Sequence, residues 1–289
     1  MAQREWKLAR RALRVGERTL VMGVLNVTPD SFSDGGQFHT LERALERAGE
    51  MVAEGADILD VGGESTRPGA AGVVPAEEEL RRVVPVIERL SEEGTVPISV
   101  DTTKAAVARA ALDAGAEIVN DISGLRFDPR LADEAARARA GLVLMHSRGS
   151  AETMHTLEPV ADIMAEVEAS LNASVAEALR RGVGREAIAV DPGIGFGKSQ
   201  EQNLELLAKL PEFARMFADF PVLAGTSRKS FIGRLLAGAP VTERLHGTMA
   251  TVAAAVLAGA HIIRVHDIRA AVETVRVADA IRRAAESGR

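Results

Sequence analysis

The stretch LERALERAGEMVAEGADILDVG, residues 41–62, decides the fold class. Its first two-thirds set Leu, Ala, Met and Val among Glu and Arg at helical spacing, the pattern of a helix with one buried face. Gly55 then supplies the residue type that closes a helix in the left-handed conformation. A short apolar run follows at once and ends on Asp60. Its apolar residues are nearly continuous, as in a parallel strand covered on both faces.

The unit recurs along the chain. TLVMGVLNV (19–27), VPISVD (96–101), AEIVND (116–121), GLVLMH (141–146), AIAVD (187–191), FPVLAG (220–225) and HIIRVH (261–266) read as further strands. Ala/Glu/Arg/Leu-rich stretches such as AAVARAALDAG (105–115) separate them, and Gly115, Gly141 and Gly259 are expected to cap helices as Gly55 does. Eight such units in about 270 residues predict a (β/α)8 TIM barrel, an α/β fold of roughly 250 residues. No G-x-G-x-x-G follows the first strand, which argues against a doubly wound dinucleotide fold. The segment before Thr19, REWKLARRALRVGER, is expected to form a hairpin closing the barrel bottom. No linker or low-complexity segment divides the chain, so 1–289 is expected to be a single domain with 1–20 as its cap segment.

Bulk composition narrows the function. Hydrophobic residues make up 46% and charged residues 26%, an ordinary globular balance. A net charge of −6 argues against a nucleic-acid surface, and 3% aromatics leave few stacking platforms. The 289 residues include no cysteine, so disulfides, thiolate chemistry and cysteine metal sites are excluded. The N-terminus has no apolar core of signal-peptide length, and no apolar run suits a bilayer. A cytoplasmic protein with no membrane contact is expected.

The strand ends carry the chemistry. In order they are Asn26, Asp60, Asp101, Asn120 with Asp121, His146, Asp191, the Ser227-Arg228-Lys229 run, and Arg264 with His266. One carboxylate after a strand is usually a helix cap, but every strand here ends in a polar group, and in a barrel those ends converge on one mouth. Asp57 and Asp113 lie elsewhere and are read as structural. Asp101, Asp191 and Asn120 suit a flat heterocycle bearing N–H donors. Arg67, Lys229, Arg264 and His266 suit an anion such as phosphate, with Thr66 and Asn26 as neutral partners. The five lysines stand against 30 arginines, which singles out Lys229. The loops TPDSFSDGG (28–36) and GGESTRPGAAG (62–72) are candidate lids. DPGIGFGKS (191–199) looks like a phosphate-binding P-loop, but Pro192 stands where that motif needs its first glycine. Asp191 is expected to grip the ligand and Lys198 to be ordinary surface charge. No histidine spacing supports a metal site built by the protein alone.

Seven motifs in order, MGVLNVTPDSFSDGG, DVGGESTRPG, SVDTTK, VNDISG, DPGIGFGKS, GTSRKSFIG and IIRVHD, resemble dihydropteroate synthase of folate biosynthesis. The resemblance implies a sulfonamide-target transferase, usually a homodimer, joining 6-hydroxymethyl-7,8-dihydropterin diphosphate to p-aminobenzoate. It implies a pterin pocket of Asp101, Asn120, Met145, Asp191 and Lys229. The diphosphate site implied is Asn26, Thr66, Arg67, Arg264 and His266, with Mg2+ as cofactor near Asn26. Phe32, Ser33, Thr66, Pro68, Phe196, Lys229 and Ser230 would take p-aminobenzoate, and Asp34, Asp101, Lys229 and Arg264 form the implied catalytic set. MHSRG (145–149) departs from the family's usual MHMQG or MHMRG. A pterin-binding methyltransferase of the corrinoid type is the alternative, but it has little use for TPDSFSDGG or the Ser-Arg-Lys run.

Overall fold

The structure, a computed structural model, describes residues 4–28, 36–64, 74–94, 96–150, 153 and 156–287. A ribbon of β1 (Arg4–Lys7) and β2 (Ala12–Val15) pairs antiparallel ahead of the main sheet. The main sheet has eight strands: β3 (Leu20–Asn26), β4 (Ile58–Gly62), β5 (Ile98–Asp101), β6 (Ile118–Asp121), β7 (Gly141–Met145), β8 (Ile188–Asp191), β9 (Leu223–Ala224) and β10 (Ile262–Val265). Neighbours from β3 to β8 pair in parallel, β10 pairs with both β9 and β3, and a parallel bridge from Val190 to Val222 joins β8 to the β9 side. The ring closes there, helped by the Val190 amide donating to the Pro221 carbonyl at 2.9 Å. Around it lie α1 (Gly36–Glu54), α2 (Ala76–Glu93), α3 (Ala105–Asp113), α4 (Leu131–Ala138), α5 (Ile163–Arg180), α6 (Gln200–Ala208), α7 (Leu210–Met216), α8 (Ser230–Leu235), α9 (Leu245–Leu257) and α10 (Ile268–Ser287). The expected TIM barrel is present.

The nearly continuous apolar strands resolve into two faces. Successive side chains on a strand point to opposite sides. Leu59, Val61, Val100, Val119, Leu142, Val190 and Ile263 pack outward into one large core with the helices. Leu20, Met22, Ile58, Ile118, Val143, Ala189, Leu223 and Ile262 pack inward into a separate cluster with Trp6, Leu8 and Val15. Two residues further along, on the same inward face, Ile58 gives way to Asp60, Ile118 to Asn120, Ala189 to Asp191 and Ile262 to Arg264. The barrel thus has an apolar floor and a polar mouth, with β4, β6, β8 and β10 each contributing to both.

The N-terminal ribbon seals that floor as expected. Trp6 is 0% exposed and its indole N–H donates to the Ala187 carbonyl at 2.8 Å. Arg11 pairs at 2.9 Å with Glu117, whose side chain is 1% exposed. Gly55, Gly115 and Gly259 have positive φ and close α1, α3 and α9 as expected. Gly141 does not close α4. Arg139, at φ 53°, takes that left-handed position, and Gly141 opens β7. Its role is room: a methyl group there would stand 2.7 Å from Leu8 and 3.2 Å from Trp6, against the ribbon. Asp57 accepts from Arg18 and the Val21 amide, and Asp113 from Arg137, so both are structural as read. Among the described residues no helix is long and apolar enough to cross a membrane.

Candidate active site

Asp60, Arg264, Asp101 and Asn120 form the deepest polar layer. Arg264 comes from β10, and its guanidinium crosses the barrel to two other strands. Nε donates to Asp60 Oδ2 at 2.6 Å and Nη2 to Asp101 Oδ2 at 2.5 Å. Asn120 Nδ2 donates to the same Asp60 oxygen at 3.1 Å. Asp60 is completely buried, and burying a carboxylate is costly unless it has hydrogen-bonding partners such as these. Burial works against the charge on Arg264, but Asp60 and Asp101 outweigh it and raise its pKa further. Burial pushes Asp101 up to about 7 against the pull of Arg264, with Asp60, Glu79 and Asp121 adding to the rise. Asn26, at the tip of β3, faces the same space. A methyl group on Gly62 would stand 3.7 Å from Asn26 Oδ1 and 3.8 Å from Asp101 Oδ2.

Asp191, Lys229 and Phe196 converge on the opposite side of the mouth. Asp191 Oδ1 accepts from the Gly193 amide at 2.7 Å. Its other oxygen is turned toward Gly225, where a methyl group would stand 3.9 Å from Asp191 Oδ2, 4.0 Å from Lys229 Nζ and 3.7 Å from Arg264 Cβ. Lys229 Nζ donates to the Ile194 carbonyl and lies 4.5 Å from the centre of the Phe196 ring. Its alkyl chain runs along Gly195, where any side chain would be 2.7 Å away and φ is +90°. Burial pushes Lys229 down to about 8, with Asp191 opposing and Arg264 reinforcing. Burial likewise raises Asp191, opposed first by Lys229. Met145 and Phe196 are both buried and pack with Ile122 in a small apolar cluster, supplying flat apolar surface beside these polar groups.

His266 stands at the rim with Nδ1 3.0 Å from Ser227 Oγ, and Ser230 is exposed at the first turn of α8. The expected residues Phe32, Ser33, Asp34, Thr66, Arg67 and Pro68 lie outside the described residues, as does most of both lid loops. The residues that are described, Asn26, Asp101, Asn120, Met145, Asp191, Phe196, Lys229, Arg264 and His266, lie at the C-terminal ends of the strands or in the loops beyond them, and Ser230 opens the helix that follows β9.

Two residues carry more than their sequence suggested. Asp60 is an interior counter-ion for Arg264, a partner 204 residues away. Its place at a strand end was visible, but nothing local pointed to that pairing. Lys198 is not ordinary surface charge. Its ammonium donates to the carbonyls of Gly193 at 2.7 Å, Phe196 at 3.2 Å and His146 at 3.3 Å. Burial pushes its pKa well below the lysine range, and nearby Lys229 adds to the effect.

The donor set also bears on a metal. Among the described residues no group of three or more His, Asp or Glu could hold an ion. Mg2+ keeps several waters and takes one or two protein oxygens alongside substrate phosphates, and Asn26 Oδ1 beside Asp101 fits that requirement.

A parallel barrel with acceptors for a flat N–H-bearing ring, apolar ring contacts and cations at one mouth defines the class of pterin-binding enzymes. The family model described as "Pterin binding enzyme" matches residues 22–266. The chain belongs to the dihydropteroate synthase family within that class. It is 50% identical over 266 residues to the dihydropteroate synthase of Synechocystis sp., covering 92% of this chain and 91% of that one. The Xanthomonas albilineans dihydropteroate synthase solved with 4-aminobenzoic acid superimposes with a TM-score of 0.89 at 44% identity, over 97% of this chain and 98% of that one. The same enzyme in complex with 7,8-dihydropteroate gives 0.85 at 42% identity, over 96% and 98%.

Proposed function

We propose that the chain condenses 6-hydroxymethyl-7,8-dihydropterin diphosphate with p-aminobenzoate, giving 7,8-dihydropteroate and diphosphate. The observation that carries this is the enclosed set of Asp101, Asn120, Asp191 and Lys229 around Met145 and Phe196, in a chain half identical to a named synthase. Asp191, Asn120 and Asp101 would accept from or face the pterin ring, Lys229 would donate to it, and Met145 would pack on its face.

The displacement is dissociative. The bond from the pterin methylene to the diphosphate oxygen breaks first, and the electron pair leaves with diphosphate. Asp101 and Asp191 stabilise the cationic pterin that remains, because fixed charges in a dry site need no reorganisation. The amine of p-aminobenzoate then bonds to the methylene carbon and loses its proton to diphosphate or water. Arg264 commits two nitrogens to carboxylates and keeps Nη1 for the leaving group. Arg67, Thr66, His266 and Asn26 complete that subsite. Mg2+, held through Asn26, would neutralise diphosphate charge. Phe32, Ser33, Asp34, Pro68 and Ser230 would join Phe196 and Thr66 around p-aminobenzoate.

The reading carries with it a cytoplasmic homodimer. Leu257 on α9 with Val277 and Ile281 on α10 are 48%, 62% and 55% exposed, apolar area that a second copy would cover. The direct test is incubation with the pterin diphosphate, p-aminobenzoate and Mg2+. Dihydropteroate is expected. Methyl transfer from methyltetrahydrofolate without dihydropteroate would assign the chain to the corrinoid class instead.

A pH profile follows from the two shifted groups. Asp101 must be ionised to stabilise a cation, so kcat/KM should rise as pH climbs through about 7. Lys229 must be protonated to donate, so kcat/KM should fall as pH passes about 8. A narrow bell is expected, and a profile flat from about pH 6 to about 9 rejects both roles.

A further inference from the structure

We infer that Lys198 is a positioning residue: its side chain straps the loop after β8 to the end of β7 and so presents Phe196 to the mouth. This rests on the activity proposed above, since Phe196 matters as a contact for p-aminobenzoate.

Residues 192–199 leave the barrel after Asp191 with three glycines in the left-handed region, φ of +68° at Gly193, +90° at Gly195 and +68° at Gly197. A backbone folded so tightly turns several carbonyls inward, away from water, and each needs a donor. The Phe196 amide donates to the Gly193 carbonyl at 3.2 Å, and cations supply the other donors. Lys198 takes Gly193 and Phe196, Lys229 takes Ile194, and Arg148 Nη1 takes Gly197 at 3.1 Å. Lys198 also reaches across to the neighbouring strand end, at the His146 carbonyl, while Arg148 ties the same two segments from the β7 side. The two segments are in direct contact there, since a methyl group on Gly193 would sit 1.7 Å from that same carbonyl oxygen. Lys198 and Lys229 thus hold the loop from different carbonyls, and the Phe196 ring lies against the Lys229 ammonium. Asp191 is pinned separately through the Gly193 amide, so releasing Lys198 should loosen Phe196 more than it disturbs Asp191.

The test uses the full chain with Lys198→Met, which removes all three contacts, and Lys198→Gln, which keeps an amide donor. Hydrogen–deuterium exchange over 192–199 should quicken at least tenfold in Lys198→Met and less in Lys198→Gln, with exchange in the β3–β6 strands unchanged. KM for p-aminobenzoate should rise about tenfold while kcat changes less than threefold. Adding Phe196→Ala to Lys198→Met should raise KM no further than Phe196→Ala alone, since both act through one contact. A role confined to stability would lower the melting temperature without that KM split or that non-additivity. Unchanged exchange over 192–199 overturns the strap whatever the enzyme does. Faster exchange with an unmoved KM, or fully additive effects, overturns the positioning role. If the unaltered chain makes no dihydropteroate, the activity reading fails instead, and equilibrium binding of p-aminobenzoate with the diphosphate-free pterin replaces KM in the same comparison. Should Lys198→Met fail to fold, Lys198→Gln alone decides by the same criteria.

Discussion

Arg264→Ala is expected to lower kcat/KM by about a thousandfold and to destabilise the barrel at the same time. The two effects have different origins. Chemically, the variant removes a fixed cation from where diphosphate charge develops, and loss of one such group typically costs about 10²–10³ in rate. Structurally, it leaves two carboxylates facing each other without their shared partner. Asp60 has no solvent to turn to, being completely buried. Removing one member of a buried ion pair usually costs about 3–5 kcal/mol, because the remaining charge is stranded. A second substitution separates the terms. Asp60→Asn in the Arg264→Ala background should recover part of the lost melting temperature and none of the activity. The measurements are steady-state kinetics with the pterin diphosphate and a thermal melt of each variant. Near-normal turnover and substrate affinity in Arg264→Ala would refute the diphosphate role.

Asp191→Asn should cripple pterin binding while sparing the fold. Asparagine keeps the oxygen that accepts the Gly193 amide at 2.7 Å, so the loop after β8 has no reason to move. The other oxygen, turned toward Gly225 and the Lys229 side, becomes an NH2 group. An acceptor for ring N–H donors is thereby replaced by a donor, and Lys229 loses its counter-charge. Sites built to pair with a specific hydrogen-bonding pattern discriminate steeply when that pattern is broken. Affinity for the pterin should fall by about 10²–10³, equivalent to about 3–4 kcal/mol. The melting temperature should hold or rise, since burial already disfavours the Asp191 charge. Calorimetric titration with the pterin decides the matter, and unchanged affinity would remove Asp191 from the pocket.

Much of this is legible in the sequence, for a physical reason. A parallel barrel repeats one local grammar, and each strand ends at the same face, so apolar runs ending on Asp60, Asp101, Asn120, Asp191 and Arg264 placed those groups at one mouth. What stayed hidden depends on long-range closure. Nothing near Asp60 in sequence announces Arg264, because the pair forms only when β10 pairs with β3 and completes the ring. Lys198 misled for a related reason. Helical or strand periodicity assigns a side chain to a face, but three left-handed glycines abolish any periodicity, and the lysine folds back beneath its own loop. Gly141 shows a third kind of blindness. A glycine before a strand reads as a helix cap, whereas here it is needed by Trp6 and Leu8, which lie far away in the chain.

The ribbon beneath the floor has a consequence for how the molecule comes into being. Trp6 is made early, yet its hydrogen-bond partner Ala187 lies 181 residues later. The surface it covers draws on β3, β4, β6, β7, β8, β9 and β10, so its berth exists only after the last strand is in place. The ribbon therefore precedes in the chain every strand it covers, and it can settle only once those strands are paired. Because Trp6 is the chain's one tryptophan, its burial marks the moment at which the barrel is finished.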